Sequence, residues 1–140
     1  MNLSKNSKVI LALAGQATGT TTLTTATIDM QGYEGVMFVG SLGVANAGNF
    51  AKARQGQQSN MSDGADLANT KVTPVTNGDS FLIDIYKPQE RYVDVQIVRG
   101  GITSTIGDVY AILYGPRKAP TTHGPTINAE THISPVEGIA

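Results

Sequence analysis

SFLIDIYKPQERYVDVQIV, residues 80–98, carries the plainest secondary-structure signal in the chain. Its first half places Phe81, Ile83 and Ile85 at every second position. Its second half does the same with Val93, Val95 and Ile97, leaving Tyr92, Asp94 and Gln96 on the other side. Period two is the strand period, because successive side chains point to opposite faces of a pleated strand. Lys87, Pro88, Gln89 and Glu90 separate the two runs. Proline fixes φ and lacks an amide hydrogen, so the segment reads as a turn. Consecutive short strands, each with one apolar face, are the mark of antiparallel sheets. The chain is therefore expected to be all-β.

Outward from this block, Thr76-Asn77-Gly78-Asp79 offers the strongest short hairpin signal, a type I′ turn with positive φ at both central residues. It predicts that Lys71–Val75 pairs with Ser80–Tyr86, with Pro74 confining the former to an edge or a bulge. Downstream, 100–107 reads as a Gly-bounded loop and Asp108–Tyr114 as a strand. Upstream lie three further strand candidates, Lys8–Ala14, Thr21–Asp29 and Tyr33–Leu42. The stretch Gly19–Thr27 holds six threonines, whose β-branching favours a pleated strand. These add up to an antiparallel sandwich or barrel of about seven to nine strands.

Two regions break the rhythm. Residues 43–71 are rich in Ala, Gln, Asn, Gly and Ser; they read as a long loop excursion with room for one short helix around Phe50–Gln55. Loops beyond about 15 residues are usually functional or disordered, which makes this one a contact arm. Residues 115–140 contain Pro116, Pro120, Pro125 and Pro135 and no sustained period. The expected organisation is a β domain over 1–114 followed by an extended, Pro-rich arm over 115–140, lying on a neighbouring subunit or a larger assembly.

Composition narrows the function. With no cysteine, the chain has no disulfide, no thiolate metal site and no cysteine nucleophile. Ten basic against eleven acidic residues leave a net charge of -1, without the basic excess that phosphate neutralisation demands. Nucleic acid is not an expected partner. No apolar run approaches the roughly 20 residues of a spanning helix, and Val9–Ala14 is short even for a signal peptide. Neither membrane insertion nor export is expected. Charged residues make up 15%, against about 25% in typical domains. A surface of uncharged polar groups is cheaper to desolvate, which points to burial against other chains.

The catalytic inventory is thin. His123 and His132 sit in the Pro-rich arm, and their spacing with Glu130 and Glu137 matches no zinc signature, so both are expected to be solvated surface residues. Asp84 and Asp94 fall on strands expected to neighbour each other, as a solvent-face pair and not as glycosidase carboxylates. Asp63 and Asp66 share the spacing of part of a calcium loop but lack its remaining ligands and read as a turn. No catalytic, cofactor or metal site is expected. The candidate interface residues are Tyr86, Tyr92, Tyr110 and Tyr114, placed at strand ends, with Ile127, Ile133, Val136 and Ile139 on the arm. Tyrosines there pack half-buried at a core rim or interface; a base- or sugar-stacking platform is the alternative.

Two blocks also carry a family likeness. KVILALA (8–14) with DMQGYEGVMFV (29–39), and FLIDIYKPQERYVDVQIVRG (81–100) with VYAILYGPRK (109–118), resemble small structural proteins encoded among the head genes of tailed bacteriophages. In those proteins a Pro-x-x-Arg-Tyr turn feeds a strand, and a Tyr-Gly-x-Arg end precedes a Pro-rich C-terminus. The likeness spans most of the chain outside 44–70. It implies a capsid decoration (cement) protein, or a related minor virion component, made in the host cytoplasm and carried on the capsid surface. Such proteins commonly form homotrimers that bridge junctions of the major capsid protein. A tail or neck adaptor and a glycan- or receptor-binding virion module are the alternatives. The family shares no single fold or contact set, so no residue role is transferred.

Overall fold

The computed structural model describes residues 1–139 and is all-β, with antiparallel sheets that do not close into a barrel. After a single 3-10 turn at Leu3–Lys5, the strands in chain order are β1 (Ser7–Leu13), β2 (Gln16–Gly19), β3 (Leu23–Thr24), β4 (Ile28–Asp29), β5 (Gly35–Ser41), β6 (Asn49–Gly56), β7 (Ala65–Asp66), β8 (Ser80–Tyr86), β9 (Tyr92–Arg99), β10 (Ser104–Ile106) and β11 (Val109–Tyr114). One sheet has the order β1-β11-β5-β8. A second has the order β3-β9-β6-β7, with β4 also paired to β9, and β10 with β2 forms a two-stranded flap.

The inner faces of the two main sheets meet in one apolar cluster. Val36, Phe38, Phe81, Ile83, Ala111 and Leu113 come from the first sheet, and Ala51, Ala53, Val93, Val95 and Ile97 from the second. The period-two pattern of 80–98 is thus explained, but its two halves face each other across the core instead of sitting side by side. β8 pairs along its whole length with β5, from Gly35 opposite Tyr86 to Ser41 opposite Ser80. β9 pairs with β6, from Asn49 opposite Arg99 to Gly56 opposite Tyr92.

That pairing corrects several expectations. Phe50–Gln55 is strand, not helix, and lies inside the second sheet, so the 43–71 excursion is only partly loop. Its alternation was present but carried by Ala51 and Ala53, small residues of low strand propensity. Both are fully buried against β9, and so much backbone pairing outweighs propensity. The Lys71–Val75 hairpin does not form: Val72 makes an isolated bridge to Ala51. The Thr76–Asp79 turn is real, closed by the Asp79 amide on the Thr76 carbonyl at 3.0 Å. Only Gly78 has positive φ, +82°, so the turn is not type I′. It delivers β8 to β5, with the Gly78 amide donating to the Leu42 carbonyl at 3.0 Å.

Two further differences are local. The Thr21–Asp29 segment is broken into β3 and β4 around Thr25, whose hydroxyl accepts the Val95 amide at 3.0 Å and so replaces a ladder bond. The glycine loop at 100–107 contains β10, which forms the flap with β2. Arg99, 3% exposed, holds this flap to β9. Its guanidinium donates to the carbonyls of Thr21 and Ala17 at 2.9 Å each and of Ser104 at 2.7 Å.

Candidate interaction surface

Residues paired directly across antiparallel strands share a face, so the register of the first sheet defines its outward side. Three cross-strand rows result: Ser7–Tyr114–Gly35–Tyr86, Val9–Ile112–Met37–Asp84, and Leu11–Tyr110–Val39–Leu82. Nine of these twelve side chains are apolar or aromatic. Their partners on the inner side are the core, so this sheet is hydrophobic on both faces. Leu82 is 53% exposed and Tyr86 is 58% exposed. Val9, Leu11, Met37, Val39 and Ile112 are half-buried.

One corner of the face is organised. A Cβ on Gly35 would fall within the Tyr114 ring, so glycine is what lets that ring lie over the sheet. The ring then stacks on Tyr86 with centroids 6.5 Å apart and planes 6° from parallel. The Tyr114 hydroxyl donates to Asp84 Oδ1 at 2.6 Å. Burial first, and the Asp84 carboxylate second, push the Tyr114 hydroxyl up to about 12. Asp84 is the only charged side chain in the three rows, and this hydrogen bond ties it to the aromatic pair.

The outer face of the second sheet is different in kind. Arg54 on β6 makes a bidentate pair with Asp94 on β9, at 2.9 and 2.6 Å. Lys52 reaches Asp66 at 2.6 Å, and Lys71 sits 4.1 Å from the Phe50 ring centroid. That face satisfies itself with its own charges. Asp84 and Asp94, expected as neighbours, therefore lie in different sheets with different partners. Asp94 is also buried, at 1% exposure, and is not a solvent-face residue.

The tyrosines separate accordingly. Tyr86, Tyr110 and Tyr114 share the outer face of the first sheet. Tyr92 belongs to the second, where Arg91 lies 5.2 Å from its ring centroid. Arg91 is itself bound by Asp29 at 2.8 Å and by Gln31 at 2.7 Å. Asp63 accepts the Gln57 and Gln58 amides at 2.8 and 3.1 Å, which holds its carboxyl below the usual range and accounts for this segment as a turn.

The arm also differs from expectation, because its first part docks on its own chain. The Thr121 amide donates to the Lys5 carbonyl at 2.9 Å, and the Gly124 amide to the Val9 carbonyl at 2.8 Å. The Val9 amide donates to His123 Nδ1 at 3.0 Å, so His123 is a half-buried edge cap and not a solvated residue. Ile127 is half-buried near this seam. The outer edge of β1 is thereby covered, one recognised way of protecting a sheet edge. Beyond Thr131, whose hydroxyl lies 2.6 Å from that of Ser4, the arm leaves the body. Ile133, Val136 and Ile139 are 94%, 93% and 105% exposed.

Three of the four tyrosines picked from the sequence lie on this face, but sequence reasoning missed Val9, Leu11, Met37, Val39, Leu82 and Ile112. The available signal was the near-continuous apolar run in 9–13, 36–39 and 109–113, which marks strands hydrophobic on both faces. A shallow cleft of about 630 Å³ beside the 87–91 turn is lined by Glu34, Glu90, Lys87, Arg91 and Arg117 among others, a mixture of both charges that favours no ligand class. Comparison with protein-family models gives no match, and comparison with curated proteins gives none either.

Proposed function

We propose that this chain is a structural virion protein that associates with copies of itself and binds the outside of a bacteriophage capsid, bridging capsid subunits. The observation that carries the reading is the uncovered apolar outer face of the β1-β11-β5-β8 sheet. Large exposed apolar patches mark interaction sites, since an isolated chain gains nothing by presenting them to water. The low surface charge and the exposed apolar end of the arm support the same reading, as does the resemblance of the 8–39 and 81–118 blocks to phage head-gene products. Stabilisation would follow mass action, because a protein that binds only the assembled shell lowers the free energy of that state alone.

The test is co-sedimentation of the purified chain with capsids that lack it, followed by heating of the decorated and bare particles. Saturable binding with a raised disruption temperature is the expected result. Absence of binding to any such shell removes the capsid reading. A second reading, glycan recognition, is favoured by the parallel Tyr86–Tyr114 pair with Asp84 beside it. Glycan-array binding abolished by Tyr86→Ala would move the assignment there.

A further inference from the structure

Two surfaces of this chain are apolar, exposed and unsatisfied: the outer face of the β1-β11-β5-β8 sheet and the end of the arm. We propose that they bind each other between copies, the 132–139 segment of one chain lying across the outer sheet face of the next. This deepens the self-association part of the functional reading and rests on it.

Spacing supports the match. Ile133, Val136 and Ile139 recur every third residue, and Pro135 lies among them. In an extended polyproline II conformation, three residues make one turn and advance about 9.3 Å, so all three side chains fall on one side. Neighbouring strands are about 4.8 Å apart, so alternate strands are about 9.6 Å apart. A segment crossing the strands therefore sets its anchors down two strands at a time. The four strand axes span about 14 Å, so two anchors set down on strands two apart and the third, about 19 Å from the first, overhangs the sheet edge. Ser134 is at φ +29° immediately before Pro135. A pre-proline residue prefers the β/polyproline region, so straightening the segment relieves that conformation.

Area decides that both surfaces are needed. The sheet face measures about 19 Å by the roughly 24 Å length of a seven-residue strand, or about 450 Å². A stable interface takes about 800 Å² from each partner, so two such faces in simple contact fall short. Three aliphatic anchors contribute roughly 200–350 Å² more, on the area equivalent of burying such side chains. Each copy both donates an arm and receives one, so over its two contacts it buries roughly 400–700 Å², its own anchors in one and the part of its face that they cover in the other. Contact of this kind is head-to-tail and gives a ring where the rotation between copies closes, the cyclic solution open to a trimer.

The chain contains no cysteine, so disulfide trapping is unambiguous. The purified full-length variants Val136→Cys and Leu82→Cys, mixed and oxidised without any shell present, should give a covalent heterodimer on a non-reducing gel. The double variant should give a ladder that ends at the ring size. The triple variant Ile133→Ser/Val136→Ser/Ile139→Ser should fold normally, cap β1 as before, and dissociate at least about 100-fold more readily, because burying one such side chain is worth a factor of ten or more. A double-cysteine variant that closes only within one chain overturns the proposal, as does a triple variant with unchanged sedimentation. Failure to bind capsids with the ladder intact would instead sink the virion reading and leave this interface standing.

Discussion

Arg54→Met should be among the most damaging single substitutions in this protein, although Arg54 sits where the sequence reads as a loop excursion with room for one short helix. Among the described residues its guanidinium is the sole ionic partner of Asp94, whose side chain is 1% exposed. Methionine keeps the aliphatic stem and removes the two charge-assisted bonds, leaving a carboxylate away from water with nothing to compensate it. Breaking a buried pair from one side costs about 3–5 kcal/mol. Arg54 retains 18% exposure, which lets some water in and favours the lower end of that range. For a chain of this size about 1 kcal/mol moves the melting temperature by roughly 3–4 °C, so a fall of about 9–12 °C is expected. Asp94→Leu should cost less, since the freed arginine can turn toward solvent. The double variant Arg54→Met/Asp94→Leu should recover most of the loss, with a coupling energy of about 2 kcal/mol or more. Thermal and urea unfolding followed by circular dichroism would read all four proteins. A single variant within about 1 kcal/mol of the parent, or a double variant no better than the worse single one, would mean that β6 does not pair with β9 in this register.

Gly40→Val should lower the urea midpoint by an amount worth about 1–3 kcal/mol, as overpacking does, because a Cβ there would come 2.6 Å from Phe81 Cζ and 2.8 Å from Val109 Cγ2. Asp29 is held below the usual carboxylate range, chiefly by the hydrogen bond from Arg91. Its contribution is therefore present above the unfolded value of about 4 and is lost as pH falls through the lower folded value. Chemical denaturation should show Asp29→Asn less stable than the parent at neutral pH and the two converging on acidification; a gap that widens on acidification would contradict the pairing. In an ultraviolet titration, Tyr114 should ionise near 12. Asp84→Asn should bring it down only part of the way, since burial is the larger cause; a complete return to the ordinary value would assign the shift to the carboxylate instead.

The sequence by itself determined the fold class. Period two in Phe81–Ile85 and Val93–Ile97 admits only strands, and the turns around Gly78 and Pro88 fall where the backbone demands them. It also determined that the chain is poor in charge and that the Pro-rich arm carries spaced apolar residues at Ile133, Val136 and Ile139. Only the tertiary structure decided which strands pair. Adjacent runs in sequence suggested hairpins, yet β8 joins β5 and β9 joins β6, because strand pairing is chosen by long-range burial and backbone hydrogen bonding together. The same cause hid β6: Ala51 and Ala53 have weak local preference for a strand, and become core only when β9 lies beside them. It placed Asp84 and Asp94 in separate sheets and turned His123 from a tail residue into an edge cap. Most of the candidate interface was likewise illegible. Alternation shows that a strand has two faces, but whether the second face meets another layer or water depends on what the rest of the chain leaves uncovered.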